Sequence, residues 1–384
     1  MNSPAPKTPL AVEPDLDFIR EITSAEGDSL KKCYQCATCS VTCSLSPDRH
    51  PFPRKEMIYA SWGLKDKLMG DPDIWLCHNC GDCSARCPRG ARPGDVLNAI
   101  RKSAIHHYSK PAWFNKLLNR PELSPLLFIL PAAVILAAGV LTGLINFTPA
   151  GRPIVFADFF PVALIEIIFI PLSMLSGMVF LFGLNRFIRN MKTEYSRRGV
   201  LPPEPAMGAA GWAAHLVRHL LPIVKHEKFA DCQQQANRKT SHIMVSFSVV
   251  SLAFVAGVFA LALYLFNSHA PYSQANPVKI LANVSGLALI FGSLWLMADR
   301  YRDRDKKSSY FDWYLLVLVL CLGVTGMMTQ LTRLMQLPLA AYTVYFIHLV
   351  LAFNLIAFLP FSKLAHVVYR TAAITFDAYM RPRY

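Results

Sequence analysis

Eight of the ten cysteines in this 384-residue chain fall into two short runs. The first reads Cys33-Tyr-Gln-Cys36-Ala-Thr-Cys39-Ser-Val-Thr-Cys43 and the second Cys77-His-Asn-Cys80-Gly-Asp-Cys83-Ser-Ala-Arg-Cys87-Pro88, a small internal repeat. Both follow the spacing C-x2-C-x2-C-x3-C, which holds [4Fe-4S] clusters. Three thiolates two residues apart can wrap three irons of one cubane, while the fourth, one helical turn further on, ligates the other cluster in two-cluster ferredoxins. The spacing therefore predicts Cys33, Cys36, Cys39 and Cys87 on one cluster, with Cys77, Cys80, Cys83 and Cys43 on the other. Zinc sites would use two C-x2-C pairs with a longer gap and leave a third cysteine idle. Disulfides do not suit a cytoplasmic domain. Cys43 is followed by Ser44 where ferredoxins usually carry proline, a change that removes no ligand.

A second set of groups able to do redox chemistry is histidine: His242, His348 and His366 lie in or beside apolar stretches. An ionisable residue there is a functional candidate by default. His348 and His366 are five turns apart at 3.6 residues per turn, so on a straight helix both would share a face about 27 Å apart, with Pro360 bending the path between them. Gln330 and Arg333 are polar enough, near the end of another apolar stretch, to be candidate quinone or propionate contacts. His215 and His219, four apart in an amphipathic stretch, read as an interfacial helix. His50 and His78 lie beside the cysteine runs. Cys321, Met327 and Met328 read as packing.

The elements that must position these groups follow from composition. The chain is 53% hydrophobic and 17% charged, too little charge for a soluble domain of this size. Residues 1–14 read as a disordered N-terminus, 15–110 as the two-cluster domain, 111–124 as a linker, 125–370 as a membrane domain and 371–384 as a cytoplasmic tail. Helical spacing of apolar residues places helices within 15–32, 54–69 and 93–107. Apolar runs of membrane-spanning length predict six spans, at about 125–147, 159–187, 242–266, 277–298, 312–333 and 340–362. The fold expected is mainly all-α: an α-helical two-cluster ferredoxin-like domain followed by a six-span helical bundle. The N-terminal residues carry acidic groups and no apolar core, so they do not read as a secretory signal. Lys and Arg crowd the 186–239 loop, the 299–307 loop and the C-terminal tail, whereas the 267–276 loop has none. Positive-inside reasoning then puts both termini and the cluster domain in the cytoplasm, at the inner membrane. The net charge of +14 reads as membrane topology and contact with anionic lipid, not as a nucleic-acid surface. On this topology His242 and His366 share the cytoplasmic end, where two antiparallel helices can sandwich a haem.

The stretch Tyr345-Phe-Ile-His348 through Pro360-Phe361-Ser362-Lys363-Leu-Ala-His366 closely resembles the last haem-bearing helix of respiratory nitrate reductase gamma subunits and of heterodisulfide reductase membrane cytochromes. His226-Glu-Lys-Phe229-Ala-Asp-Cys232, followed by Arg238-Lys-Thr-Ser-His242, resembles the entry to the haem-bearing helix in the same cytochromes. The N-terminal domain resembles the iron–sulfur C-type component of heterodisulfide reductase. The fusion of the two halves is similar to the C-type components of the quinone-interacting membrane-bound oxidoreductase (Qmo) complexes of sulfate reducers. This resemblance implies haem b with His242, His366 and His348 as axial candidates, and menaquinol as substrate. It also implies flavin- and iron–sulfur-containing A and B partners, feeding adenylylsulfate reductase. One departure stands out: the nitrate reductase relatives carry a second histidine ten residues into the first haem helix, and here that position is Leu252. The family implies two haems, yet the sequence offers one bis-histidine pair, leaving His348 to take another partner or to serve a quinone site. Two other readings remain: a heterodisulfide-reductase-like membrane component with a different acceptor, and a zinc-stapled membrane anchor without redox activity.

Overall fold

The computed structural model describes residues 13–47, 50–147, 153–200, 207–225, 238–302 and 309–380, and among these there are helices and turns but no strand. The stretch His226–Cys232 and most of the 299–307 loop lie outside the described residues. The N-terminal part is built from short helices: α1 (Leu16–Ala25), α2 (Thr38–Thr42), α3 (Arg54–Ser61), α4 (Lys65–Met69), α5 (Asp73–Leu76), α6 (Asp82–Ala85) and the longer α7 (Pro93–Tyr108). Asp15 caps α1, its carboxylate accepting from the Phe18 amide at 2.8 Å, and Pro93 opens α7 at the one helical position where a missing N–H costs nothing. The helical stretch expected within 54–69 is two helices, separated at Trp62–Leu64, where Gly63 turns with φ +66°.

Beyond it run α8 (Ala112–Leu118), α9 (Ser124–Leu141), α10 (Val162–Arg197), α11 (Ala209–Val224), α12 (Arg238–Phe266), α13 (Pro277–Arg302), α14 (Tyr310–Leu334), α15 (Pro338–Phe358) and α16 (Ala365–Met380). Six helical segments among the described residues are long and apolar enough to cross a membrane, matching the six expected spans. Helices α12 and α13 bury small residues, Ser241, Ser248, Ser285, Gly286, Gly292 and Ser293, with Gly292 against α12 and Gly286 against Met327 of α14. A Cβ on Gly292 would stand 3.0 Å from Met244. Small residues let helix backbones approach where there is no hydrophobic drive between helices.

The boundaries differ from the sequence reading in three places. The expected linker at 111–124 contains α8 and a 3-10 turn at Pro121–Leu123. The helix carrying His348 does not run straight on to His366: it ends at Phe358, passes through a 3-10 turn at Leu359–Phe361 and restarts as α16. The residues expected as a tail continue α16 to Met380, and this helix buries Tyr369, Ala373, Phe376 and Met380, a stripe at helical spacing. That stripe belongs to the same core as Phe18, Ile22, Trp75 and Tyr108 of the N-terminal domain and Phe187, Met191 and Tyr195 of α10. The two halves are thus packed together, not strung on a linker. Gly70 lies so close to α10 that a Cβ would stand 2.7 Å from the Asn190 carbonyl oxygen.

Candidate functional site

The two cysteine runs repeat in backbone as well as in sequence. Gln35 and Asn79, at equivalent places, have φ +61° and +53°; Ala37 and Gly81 have +68° and +96°. Each left-handed Ala37 or Gly81 turns the chain into a short helix, α2 or α6. The effect is to fold each C-x2-C-x2-C segment around a point and to aim donors at sulfur. The Asn79 amide donates to Cys77 Sγ at 3.2 Å, and Gln35 Nε2 to Cys33 Sγ at 3.3 Å. Thr38 Oγ1 lies 3.3 Å from Cys36 Sγ.

Cys43, Cys77, Cys80 and Cys83 line one cavity together with Phe52, His78, Asp82 and Leu97. The last cysteine of the first run therefore faces the first three of the second. Gly94, in the first turn of α7, closes the wall: a Cβ there would come within 3.0 Å of the Asn79 side chain and 3.9 Å of Cys83 Sγ. Burial, reinforced by the neighbouring thiols, pushes Cys83 far above the ordinary thiol range, and burial pushes Cys43 up to about 11. Thiols gathered in this way give up their protons when a cation joins them. Four sulfurs, backbone amides and a closed wall suit a [4Fe-4S] cluster. On the other side Arg89, two residues after Cys87, stacks over Tyr34 with its guanidinium carbon 4.0 Å from the ring centre. This brings the end of the second run against the Cys33–Cys36 loop. Arg54 Nε donates to the Gln35 carbonyl at 3.0 Å, fixing that loop to α3.

Two arginines that the sequence reading did not assign to the site hold the Cys77 loop, one of them, Arg370, from the membrane half. Arg370 of α16 donates to the Cys77 carbonyl at 3.1 Å and the Leu76 carbonyl at 3.3 Å, and lies 3.0 Å from His78 Nε2. Arg101 of α7 donates to the same Cys77 oxygen at 2.7 Å. Arg370 is one helical turn beyond His366, so both project from one side of α16. Beneath them Trp75, Tyr108, Phe187 and Tyr369 pack ring to ring, centroids 5.3–5.9 Å apart. The sequence places Arg370 four residues after a candidate histidine but carries no sign of the carbonyls it reaches.

His366 Nδ1 sits 2.5 Å from the Lys363 carbonyl oxygen, which turns Nε2 away from that contact as the nitrogen available to a ligand. His242, in the first turns of α12, has Nδ1 3.1 Å from Ser246 Oγ. Donor chemistry at both suits an axial haem ligand, and by alternation of the spans both helices begin on the side of the cluster domain. His348 is elsewhere, mid-helix on α15, with Nδ1 2.9 Å from Thr325 Oγ1 of α14 and its ring against Gly326. Gln330 Nε2 donates to Gln274 Oε1 at 2.9 Å, and Gln274 also meets Asn283 at 3.4 Å. Gln330 thus belongs to a polar group with Gln274 and Asn283 at the end of the bundle opposite the clusters. Arg333, one turn further along α14, has its carbonyl bonded by Gln336 at 2.8 Å, and His348 is bound separately, deeper in. His215 bonds the Thr375 carbonyl at 3.1 Å, seating α11 on α16. Two histidines not singled out from the sequence, His106 and His107 of α7, are held neutral, pushed down to about 3 and about 4 chiefly by burial.

Residues 29–91 match the family of 4Fe-4S dicluster domains. Over 91 residues the chain is 41% identical to the C component of the H(2):CoB-CoM heterodisulfide,ferredoxin reductase of Methanothermobacter marburgensis. That match covers 23% of this chain and 49% of the relative, so it spans about half the length of that protein. A protein of Archaeoglobus profundus, itself named for its likeness to the C component of heterodisulfide reductase, is 34% identical over 94 residues, 24% of this chain and 48% of the relative. Citrate utilization protein B of Escherichia coli is similar along nearly the whole chain, 27% identical over 369 residues, covering 90% of this chain and 89% of the relative. No solved structure matches. The N-terminal domain is a 4Fe-4S domain like the C component of heterodisulfide reductase, joined here to six membrane-length helices, and its relatives are redox components.

Proposed function

We propose that this chain is the quinone-reactive, electron-transferring membrane component of a multi-subunit oxidoreductase at the inner membrane, with the cluster domain and both termini cytoplasmic. Cys43, Cys77, Cys80 and Cys83 hold the cluster nearer the membrane domain; Cys33, Cys36, Cys39 and Cys87 hold the other. When bound, the clusters and a b haem supply one-electron storage at closely spaced points. The residues of the chain do the rest. His242 and His366 would hold the haem through their ring nitrogens, and the Lys363 carbonyl fixes the tautomer of His366. Arg370 and Arg101 hold the Cys77 loop against α16 and place positive charge beside it. His348, Gln330 and Arg333 are the residues assigned to menaquinol, with His348 hydrogen-bonded to Thr325 and able to accept a proton. The observation that carries this reading is the reach of Arg370, one turn from His366, to the Leu76 and Cys77 carbonyls.

By resemblance to the Qmo complexes, electrons then pass to soluble flavin- and iron–sulfur-containing A and B partners and on toward adenylylsulfate reductase. A second reading is favoured by the near full-length similarity to citrate utilization protein B: the soluble partner acts on an organic acid instead of a sulfur compound, and the wiring in this chain is unchanged. The test is to mix the oxidised, detergent-solubilised chain with a menaquinol analogue and follow haem and cluster signals. Sequential reduction of a b-type band and then of cluster paramagnetism supports the proposal. Reduction of neither, in a chain carrying both, overturns it.

A further inference from the structure

The two candidate clusters do not face the same surroundings. The Cys43, Cys77, Cys80 and Cys83 set is walled in, with Cys77 and Cys83 8% exposed each, and is gripped by Arg370 from the membrane half. The other set reaches the surface: Cys36 is exposed, and beside it stand Tyr34 at 68% and Val41 at 86% exposure. Around them the exposed charges of segments 28–47 and 84–92, among the described residues, are Lys31, Lys32, Arg86 and Arg89 against one acid, Asp28. An exposed apolar centre with a mostly basic rim is the anatomy of a transient docking surface, in which rim charges steer encounter.

Resting on the electron-transfer reading above, we infer that the face around Cys36, Tyr34 and Val41 is where electrons leave the chain, and that it docks a soluble redox protein whose own centre lies beneath an acidic patch. Each transfer there oxidises one cluster by one electron and reduces the one-electron centre of the partner; no atom or proton need cross.

Two soluble haem proteins serve as probes: an acidic one of the cytochrome b5 type and a basic one of the cytochrome c type. Binding to the oxidised, detergent-solubilised full chain is measured against salt, with no turnover. In a separate experiment the chain is first reduced with dithionite, freed of excess reductant and mixed with each probe, cluster oxidation being followed by stopped flow. The acidic probe should bind in a salt-sensitive way. The triple reversal Lys31→Glu, Lys32→Glu and Arg89→Glu should weaken it by about tenfold or more and flatten its salt slope. The same reversal should improve binding of the basic probe. Reversal of Arg218 on α11 and of Lys225 at its C-terminal cap should change neither. Unchanged binding of the acidic probe by the triple variant, with its iron content intact, overturns the docking face while leaving the wiring. A wild-type chain with no iron overturns the wiring and the face together.

Discussion

At Ala37 and Gly81 two different residues make the same turn at equivalent points of the repeat. A left-handed backbone costs a residue with a Cβ roughly 1–2 kcal/mol and costs glycine little. Ala37→Gly should therefore raise the stability of the cluster domain by about 1 kcal/mol, and Gly81→Ala should lower it by a similar amount. The midpoint of thermal bleaching of the cluster absorbance reads both. Arg370 gives a sharper residue-scale expectation. Its loss in Arg370→Ala removes a positive charge and two charge-assisted bonds, worth about 1.5–3 kcal/mol each, from the Cys77 loop. The potential of the walled-in cluster should fall while that of the surface cluster holds, and Arg370→Lys should restore part of the shift because it keeps the charge but not the fork. A redox titration followed by electron paramagnetic resonance separates the two. At this scale the cysteine spacing was legible because ligand geometry is local. Arg370 was not, because it acts on a carbonyl nearly three hundred residues away in the chain.

Between elements, the contact of α3 and α5 with α10 is ionic. Lys55 Nζ lies 2.9 Å from Asp71, 2.6 Å from Asp73 and 3.1 Å from Glu56, and Arg198 lies 3.1 Å from Asp71. Glu56, Asp71 and Asp73 are fully buried. Two cations cannot balance every acid there, and burial pushes Glu56 up to about 8, whereas Asp71 is held down to about 2 by Lys55 and Arg198 against the opposing effect of burial. Burial thus favours the neutral form at Glu56 rather than at Asp71. Glu56→Gln should be nearly silent, while Asp71→Asn, which strands buried charge, should cost about 3–5 kcal/mol; chemical denaturation of the purified chain compares them. Gly70→Ala attacks the same contact sterically and should cost about 1–3 kcal/mol.

The pH dependence of the cluster domain follows from α7. The unfolded chain protonates His106 and His107 near 6.5, the folded one only near 3 and 4. The unfolded state therefore binds more protons as pH falls below 6.5, and stability is lost on that descent. Glu56 works in the opposite sense between 4.5 and 8, with one proton against two. Thermal unfolding followed by circular dichroism should show a falling midpoint from pH 6.5 to 4.5, and in the His106→Gln, His107→Gln double variant the fall should disappear or reverse. None of these contacts could be read from periodicity, which locates helices but not which helix meets which.

For the molecule as a whole, apolar run length was enough to place six membrane-length helices, since that signal is compositional. The relation between the halves was hidden. Residues 371–380 lacked the apolar length of a span and so read as a tail, but Tyr369, Ala373, Phe376 and Met380 insert between α10 and the cluster domain. That insertion makes α16 the bridge from His366 to the Cys77 loop. The central claim is a continuous electron path in one chain, from a haem at His242 and His366 to two clusters on eight cysteines. Its most direct test is an iron, acid-labile sulfide and haem count on the purified full chain, with reduced-minus-oxidised spectra. The account predicts about eight non-haem irons, matching sulfide and a b-type α-band. Zinc in place of iron, with no Soret band, would contradict it.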